Sequence, residues 1–283
     1  MQKRILFIVL LFAAINAEAQ KIHLTLFGGF SNYQGDLQDK RFTLDQAHPA
    51  FGAGGLYEIS DRFAARANVT FGKVSGDDKN NSKNSLRNLS FSSPITDIHL
   101  GLEYNLLNPY EHSLSPYLFA GISYFSFKPS TKDSTGNKTY LQPLSTEGQG
   151  FYQGRKVYKL HQFSIPFGGG VKLSISDNIR VGFEIGLRKT NTDYIDDVST
   201  TYVDQNILLA NRGQKAVDLA YRGDELKTGL GYPADGTQRG GSKNKDWYYF
   251  SGFNVSFRLH GNSAGGSSRS GGRSKTGCPT NIY

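Results

Sequence analysis

The chain contains one cysteine, Cys278, in 283 residues. It therefore forms no intramolecular disulfide and holds no cysteine-rich metal site. Hydrophobic residues are scarce at 37%, and the mean hydropathy is −0.44. These values exclude a helical membrane protein, whose spans need about 20 consecutive apolar residues. They leave a transmembrane β-barrel open, because its strands alternate apolar and polar residues and average to a soluble-looking value. The one nearly pure apolar run, residues 5–14, follows Lys3 and Arg4 and precedes Ala17-Glu18-Ala19. That is the three-part layout of a secretory signal peptide, so residues 1–19 are expected to be removed. No cysteine stands at the junction, so lipid attachment there is not expected.

What is present in excess is aromatic and small: 16 Tyr, 19 Phe and 33 Gly, a composition suited to strands, aromatic girdles and tight turns. The net charge is +8, and loss of Lys3, Arg4 and Glu18 lowers it by one. Nucleic acid is not an expected partner of an exported chain. The charge is assigned instead to surface and lumen.

Eight stretches show the period-2 alternation of strands with two different faces. They lie near residues 22–33, 50–60, 62–71, 95–107, 116–127, 158–175, 179–189 and 247–259. In the seventh, Ile179, Val181, Phe183, Ile185 and Leu187 oppose Arg180, Glu184 and Arg188. The fifth is aromatic on both faces, which leaves its orientation open. A soluble sheet would alternate in the same way, so the connections have to decide. Those after strands two, four and six are short, at 60–61, 108–115 and 176–178. Those after strands one, three, five and seven are long and polar, at 34–49, 73–94, 128–157 and 190–245. Loop length sorted by parity, with an even strand number, predicts an all-β, eight-stranded antiparallel transmembrane barrel over residues 20–260. Short turns are expected in the periplasm and long loops outside. A soluble sandwich or lipocalin-like barrel is the competing fold.

In such a barrel Arg62, Arg66, Lys172, Arg180, Arg188 and Arg258 face inward with Glu58, Glu103 and Glu184. An eight-stranded interior is only wide enough for side chains to fill, and buried charges must be paired. A paired-charge plug is favoured over a conducting channel. The last strand contains Phe250-Ser251-Gly252-Phe253-Asn254-Val255-Ser256-Phe257, which fits the aromatic-x-Gly pattern used by barrel-assembly machinery. Gly168-Gly169-Gly170 lies inside a strand and reads as a bend or close-approach site.

Residues that could carry chemistry are few. Asp77-Asp78 and Asp193 with Asp196-Asp197 could supply carboxylates to Ca²⁺, but the EF-hand spacing is absent. Internal hydrogen bonding and ion pairing of loops is the other reading. Asp97, His99 and Glu103 share one face of a strand, but no nucleophile-elbow pattern surrounds Ser90, Ser92 or Ser93. No catalytic residue, metal or cofactor is assigned. After Leu259 the chain becomes rich in Gly, Ser and Arg and ends in Cys278, Pro279, Thr280, Asn281, Ile282 and Tyr283. Residues 261–283 are either a tail without function or a linker carrying a short peptide that docks on a periplasmic partner.

Several segments resemble the PorG family. These are Asn32-Tyr33-Gln34-Gly35-Asp36-Leu37, Gly76-Asp77-Asp78, Arg87-Asn88-Leu89-Ser90-Phe91 and Pro116-Tyr117-Leu118-Phe119. Longer and more specific are residues 141–150, with Glu147, Gly148, Gln149 and Gly150, and residues 192–199, with Asp193, Tyr194, Asp196 and Asp197. The resemblance implies an outer-membrane component of the type IX secretion system. That machine exports proteins bearing a C-terminal sorting domain and serves gliding motility in some bacteria. It further implies association with the periplasmic ring of PorK and PorN, and a structural rather than catalytic role. The alternatives are a passive small barrel, stabilising the envelope or binding at the surface, and a barrel hydrolase or acyltransferase using His99.

Overall fold

A strand whose odd and even residues prefer different solvents has one stable placement, with one face in each. In a computed structural model, which describes residues 21–259 apart from 39, 41, 42, 44, 81–83 and 228–230, eight such strands close on themselves. They are β1 (Ile22–Gln34), β2 (His48–Glu58), β3 (Phe63–Asp77), β4 (Ser90–Asn105) and β5 (Leu114–Phe127), followed after two short strands by β8 (His161–Ser176), β9 (Ile179–Thr190) and β10 (Trp247–Arg258). The two short strands, β6 (Ser130–Lys132) and β7 (Lys138–Tyr140), form a hairpin attached to β4 through Ser92 and Ser130. The expected signal peptide, residues 1–19, lies outside the described residues. So does the expected tail with Cys278, Pro279, Thr280, Asn281, Ile282 and Tyr283.

Each barrel strand pairs antiparallel with its neighbours, β1 pairs β10, and the β3–β4 pairing completes the ring. No barrel edge is left to template aggregation. The outward residues are apolar: Phe51, Leu102, Ile122 and Phe163 are each more than half exposed to the surroundings. On β8 the outward series runs from Phe163 to Ile175. Roughly twelve steps of ~3.3 Å at ~45° tilt give a height of about 28 Å, near the ~25 Å apolar band of a membrane barrel. Among the described residues no helix is long and apolar enough to cross a membrane.

Strand identities and faces agree with the sequence pattern, and β5 resolves with Tyr117, Phe119, Phe125 and Phe127 inward and Leu118, Ile122 and Tyr124 outward. Gly168 and Gly170 of β8 allow this. A Cβ on Gly168 would lie 2.9 Å from the Phe119 ring, and one on Gly170 would lie 2.8 Å from the Tyr117 hydroxyl. The expected loop 73–94 needs correction. Pairing continues from Lys73↔Pro94 to Asp77↔Ser90, so β3 and β4 project beyond the apolar belt as a stiff hairpin. The expected loop 190–245 also contains helices α1 (Gln205–Arg212) and α2 (Gln214–Ala220). Asp204 starts α1, accepting from the amides of Asn206 and Ile207.

The connections at one end are short, at 59–62, 106–113 and 177–178. At the other end the connections 35–47, 78–89, 128–160 and 191–246 fold together into a dome. A collar that includes Phe91, Ile95, Phe125, Phe127, Tyr248 and Phe250 separates lumen from dome. Leu208, Ala216, Val217 and Ala220 make a second small core in the dome, with Leu144, Phe151 and Tyr232 against it.

Candidate functional site

Two polar constellations stand one above the other, the lumen and the core of the dome. At the short-turn end of the lumen, Glu58 accepts from Arg180 (2.8 Å), Tyr110 (2.5 Å) and Arg258 (3.3 Å), with His23 at 3.1 Å. One layer up, Arg66 places its guanidinium fork on Glu184 at 3.0 and 3.1 Å, and Tyr117 donates to the same carboxylate at 2.7 Å. Glu103 lies 3.6 Å from Arg66 and is hydrogen bonded to Lys172. Near the collar, Arg188 reaches Asp97 at 3.7 Å and lies over the Phe250 ring at 4.9 Å. Bidentate and shared ion pairs of this kind offset the cost of holding charge away from water. A void of about 50 Å³ lies beside Arg66, Glu103, Tyr117 and Glu184, room for one or two waters at ~30 Å³ each.

Arg62 is not part of this network. It has inward parity but lies in the turn before Phe63, exposed, and its carbonyl accepts from the Asn105 amide. Asp97 and His99 are both buried, yet the Asp97 oxygens face Tyr248 (2.7 Å), Ser123 (3.4 Å) and Arg188 rather than the His99 ring. The imidazole packs against Phe119 at 5.8 Å.

The dome gathers residues that sequence leaves far apart. Glu147, fully buried, accepts from the amides of Ser199 (2.9 Å) and Thr200 (3.0 Å), the Thr200 hydroxyl (2.7 Å) and Arg239 (3.0 Å). Gln149 accepts from the Glu147 amide at 3.1 Å. Gly148 and Gly150 sit at φ +77° and +93°, conformations that glycine adopts without strain. A Cβ on Gly148 would also meet Val203 at 2.8 Å. Arg87 clamps Asp78 at 2.6 and 2.7 Å and donates to the Asp36 carbonyl at 3.2 Å. Asp36 accepts from the Gly241 amide at 2.8 Å, and Asn32 donates to the Thr43 carbonyl.

The third part of the dome core is a carboxylate group around one phenol. Tyr33 Oη lies 2.6 Å from Asp196 Oδ2 and 3.1 Å from Asp246 Oδ1. Tyr33 has one hydrogen to give and two carboxylates within reach, so the three oxygens are satisfied when one aspartate carries a proton. Burial, and then the neighbouring carboxylates, push both aspartates well above the usual carboxylate range. Gly35 leaves the space for this contact: its Cβ would lie 2.0 Å from Tyr33 Oη and 2.1 Å from Asp246 Oδ1. Asp197 accepts from Thr146 (2.5 Å) and Tyr158 (2.6 Å), and burial pushes it up to about 6. Asp193 accepts from Ser199 at 2.8 Å, and burial pushes it up to about 7. Tyr194 stacks on Tyr158 with centroids 4.7 Å apart.

All twelve loop residues singled out above, from Asn32 to Asp197, therefore belong to the loop end, and most meet in its buried core. Reading by sequence misses Arg87 and Arg239 as their counter-charges and Asp246 as the third party to Tyr33. Arg87 stands inside a segment already noted. Nothing around Arg239 or Asp246 marks them out.

A closed eight-stranded meander, apolar outside, filled with ion pairs inside and capped at one end, is a membrane β-barrel of the outer-membrane type. The chain belongs to the family described as Domain of unknown function (DUF6089), which it matches over residues 2–210. Among curated proteins nothing matches. Among solved structures, Neisserial surface protein A is 9% identical, with 84% of this chain and 97% of that chain covered and a TM-score of 0.43. For Ail, the attachment invasion locus protein of Yersinia pestis, the values are 8%, 83%, 96% and 0.40. For OprG from Pseudomonas aeruginosa they are 12%, 84%, 97% and 0.40.

Proposed function

We propose that the protein is a non-catalytic outer-membrane barrel that acts as an accessory anchor of the type IX secretion machinery. In this reading it is exported through a signal peptide, keeps both termini and its short turns in the periplasm, and associates there with the PorK–PorN ring. The observation that carries it is the convergence of the PorG-like segments. Asn32 to Asp36, Glu147 to Gly150 and Asp193 to Asp197 interlock in one buried core instead of scattering over unrelated loops. A void of only about 50 Å³ inside the barrel supports a plugged lumen, with cargo passing through another, larger channel in this reading. Lipid is the barrel's other partner, along its apolar belt.

Deleting the gene tests the reading: export of proteins bearing the C-terminal sorting domain should stop, and normal export sinks it. Removal of residues 261–283 should leave the barrel folded and weaken recovery of PorK and PorN with it. Unchanged recovery would leave the short turns as the docking surface. One observation favours a second reading, a passive barrel that stabilises the envelope or binds at the surface. The motif residues lie at the long-loop end, opposite the turns that would meet a periplasmic ring. That reading calls for normal export in the deletion strain.

A further inference from the structure

A cleft of about 690 Å³ opens above the apolar belt, on the wall made by the projecting β3–β4 hairpin and the β6–β7 hairpin. Lys73, Lys79, Lys132 and Lys138 line it, and among the described residues none of the four has a carboxylate within ion-pairing distance. Asp77, Asp133, Glu225 and Arg222 line the cleft too, and two of the three carboxylates are ion-paired to groups other than these lysines, so the lining keeps an excess of positive charge. Asp133 is held by Lys215 at 3.1 Å and by the Thr135 hydroxyl at 2.7 Å, Glu225 by Arg222 at 2.9 Å, and Asp77 by the Lys79 amide at 2.9 Å.

A second observation points the same way. Lys132 and Lys138 are direct cross-strand partners in β6 and β7. Like charges placed opposite one another in an antiparallel pair are destabilising, and an anion between the two ammonium groups would remove that repulsion. Lys128 adds to the field from the side, over the Tyr140 ring at 3.9 Å. The height of the cleft identifies the anion's source. Phe71 is the last apolar outward residue of β3, and Lys73 follows one outward step later, about 7 Å along the strand. Headgroups begin at that level, where the apolar band ends.

We propose that this cleft binds the phosphate groups of a phosphorylated glycolipid in the leaflet around the long-loop end. Lysine ammonium groups hold phosphate as point charges with rotatable donors, which suits a headgroup carrying more than one phosphate. The proposal rests on the reading above that the long loops face the cell exterior.

Wild-type protein and the variant Lys73→Gln/Lys132→Gln/Lys138→Gln are placed in phosphatidylcholine nanodiscs containing diphosphoryl lipid A or its dephosphorylated form. Native mass spectrometry then counts the lipid retained on the extracted barrel, and the gel-mobility shift of the folded barrel confirms that the variant is intact. Wild type should retain the diphosphoryl lipid about tenfold more than the dephosphorylated one. The variant should lose that preference, and added salt should weaken it in wild type. Equal retention of the two lipids by wild type, or equal retention of diphosphoryl lipid by wild type and variant, overturns the proposal. Failure of the orientation shows separately, as absent surface labelling of Ser134→Cys on intact cells in a Cys278→Ser background.

Discussion

Replacing Arg239 by methionine deletes the guanidinium that pairs with the Glu147 carboxylate and keeps most of the buried volume. Glu147 retains four loop donors, from Ser199, the two groups of Thr200 and the Tyr194 hydroxyl, but loses its counter-charge. The carbonyls of Ala220 and Asp197, which accept from Arg239 at 3.1 and 2.6 Å, lose a donor as well. Breaking a buried ion pair from one side costs about 3–5 kcal/mol. At ~1.4 kcal/mol per power of ten, the equilibrium for opening the dome should rise by roughly two to three and a half powers of ten. The barrel ladder shares no residue with this pair and should remain closed. Hydrogen exchange of the folded protein in detergent reads the two regions apart. Amides of residues 191–246 should lose protection while those of β4 and β5 keep theirs. Adding Glu147→Gln removes the stranded charge and should restore most of the protection. Protection within threefold of wild type in Arg239→Met would refute the reasoning, and so would equal loss in dome and barrel.

Further outcomes follow from the same geometry. Asp193 at about 7 and Asp197 at about 6 stand above the ordinary aspartate value of 3.8, as do Asp196 and Asp246. A carboxyl raised on folding adds stability that is present in full below its unfolded value and is lost as pH climbs through the folded one. Proteolysis of the loops should therefore accelerate from about pH 4 to pH 8, and Asp196→Asn should flatten the profile; a slope of the opposite sign would exclude the shared proton. Gly35→Val should open the dome, through the clash with Tyr33 and Asp246, with no change in the heat-induced gel shift of the barrel. Arg66→Met strands Glu184 and should lower the temperature of that gel shift by an amount matching roughly 3–5 kcal/mol. An unchanged transition would mean that the lumen pairs contribute nothing net.

The barrel is legible in the sequence because each strand borders two solvents. Leu100 and Leu102 meet lipid while His99 and Glu103 meet the lumen, and the alternation records that difference. Strand β5 is harder because Tyr117 and Phe119 are as apolar as Leu118. What turns them inward is the Tyr117 hydroxyl on Glu184 and the space above Gly168, both set by strands distant in sequence. The extension of β3 and β4 is hidden because its inward residues, Val74 and Phe91, face the dome while its outward ones, Ser75 and Ser92, are polar and half-buried beyond the apolar belt. Such a stretch reads as a polar loop. The dome core has no local signature either. Glu147 and Arg239 are 92 residues apart, Tyr33 and Asp246 are 213 apart, and neither pair obeys a period. Resemblance to a family picks out one member of each pair, and geometry supplies the other.

The dome also bears on how the barrel enters its membrane. Asp36, Arg87, Glu147 and Arg239 come from four different hairpin tips. Each contact between them forms only once both of its tips stand on the same side of the bilayer, and the full set only once all four do. Each tip carries charge, and a charged side chain at the bilayer centre costs at least about 2.5–3.5 kcal/mol, so the tips must cross before these contacts are made. Arg87 and Asp36 join the first two tips, Arg239 joins the last to Glu147, and the Arg239 carbonyl and Gly241 amide tie that last tip back to Arg87 and Asp36, so no single hairpin can slip back without breaking contacts to at least one other. Insertion then works as a ratchet whose last tooth is the dome.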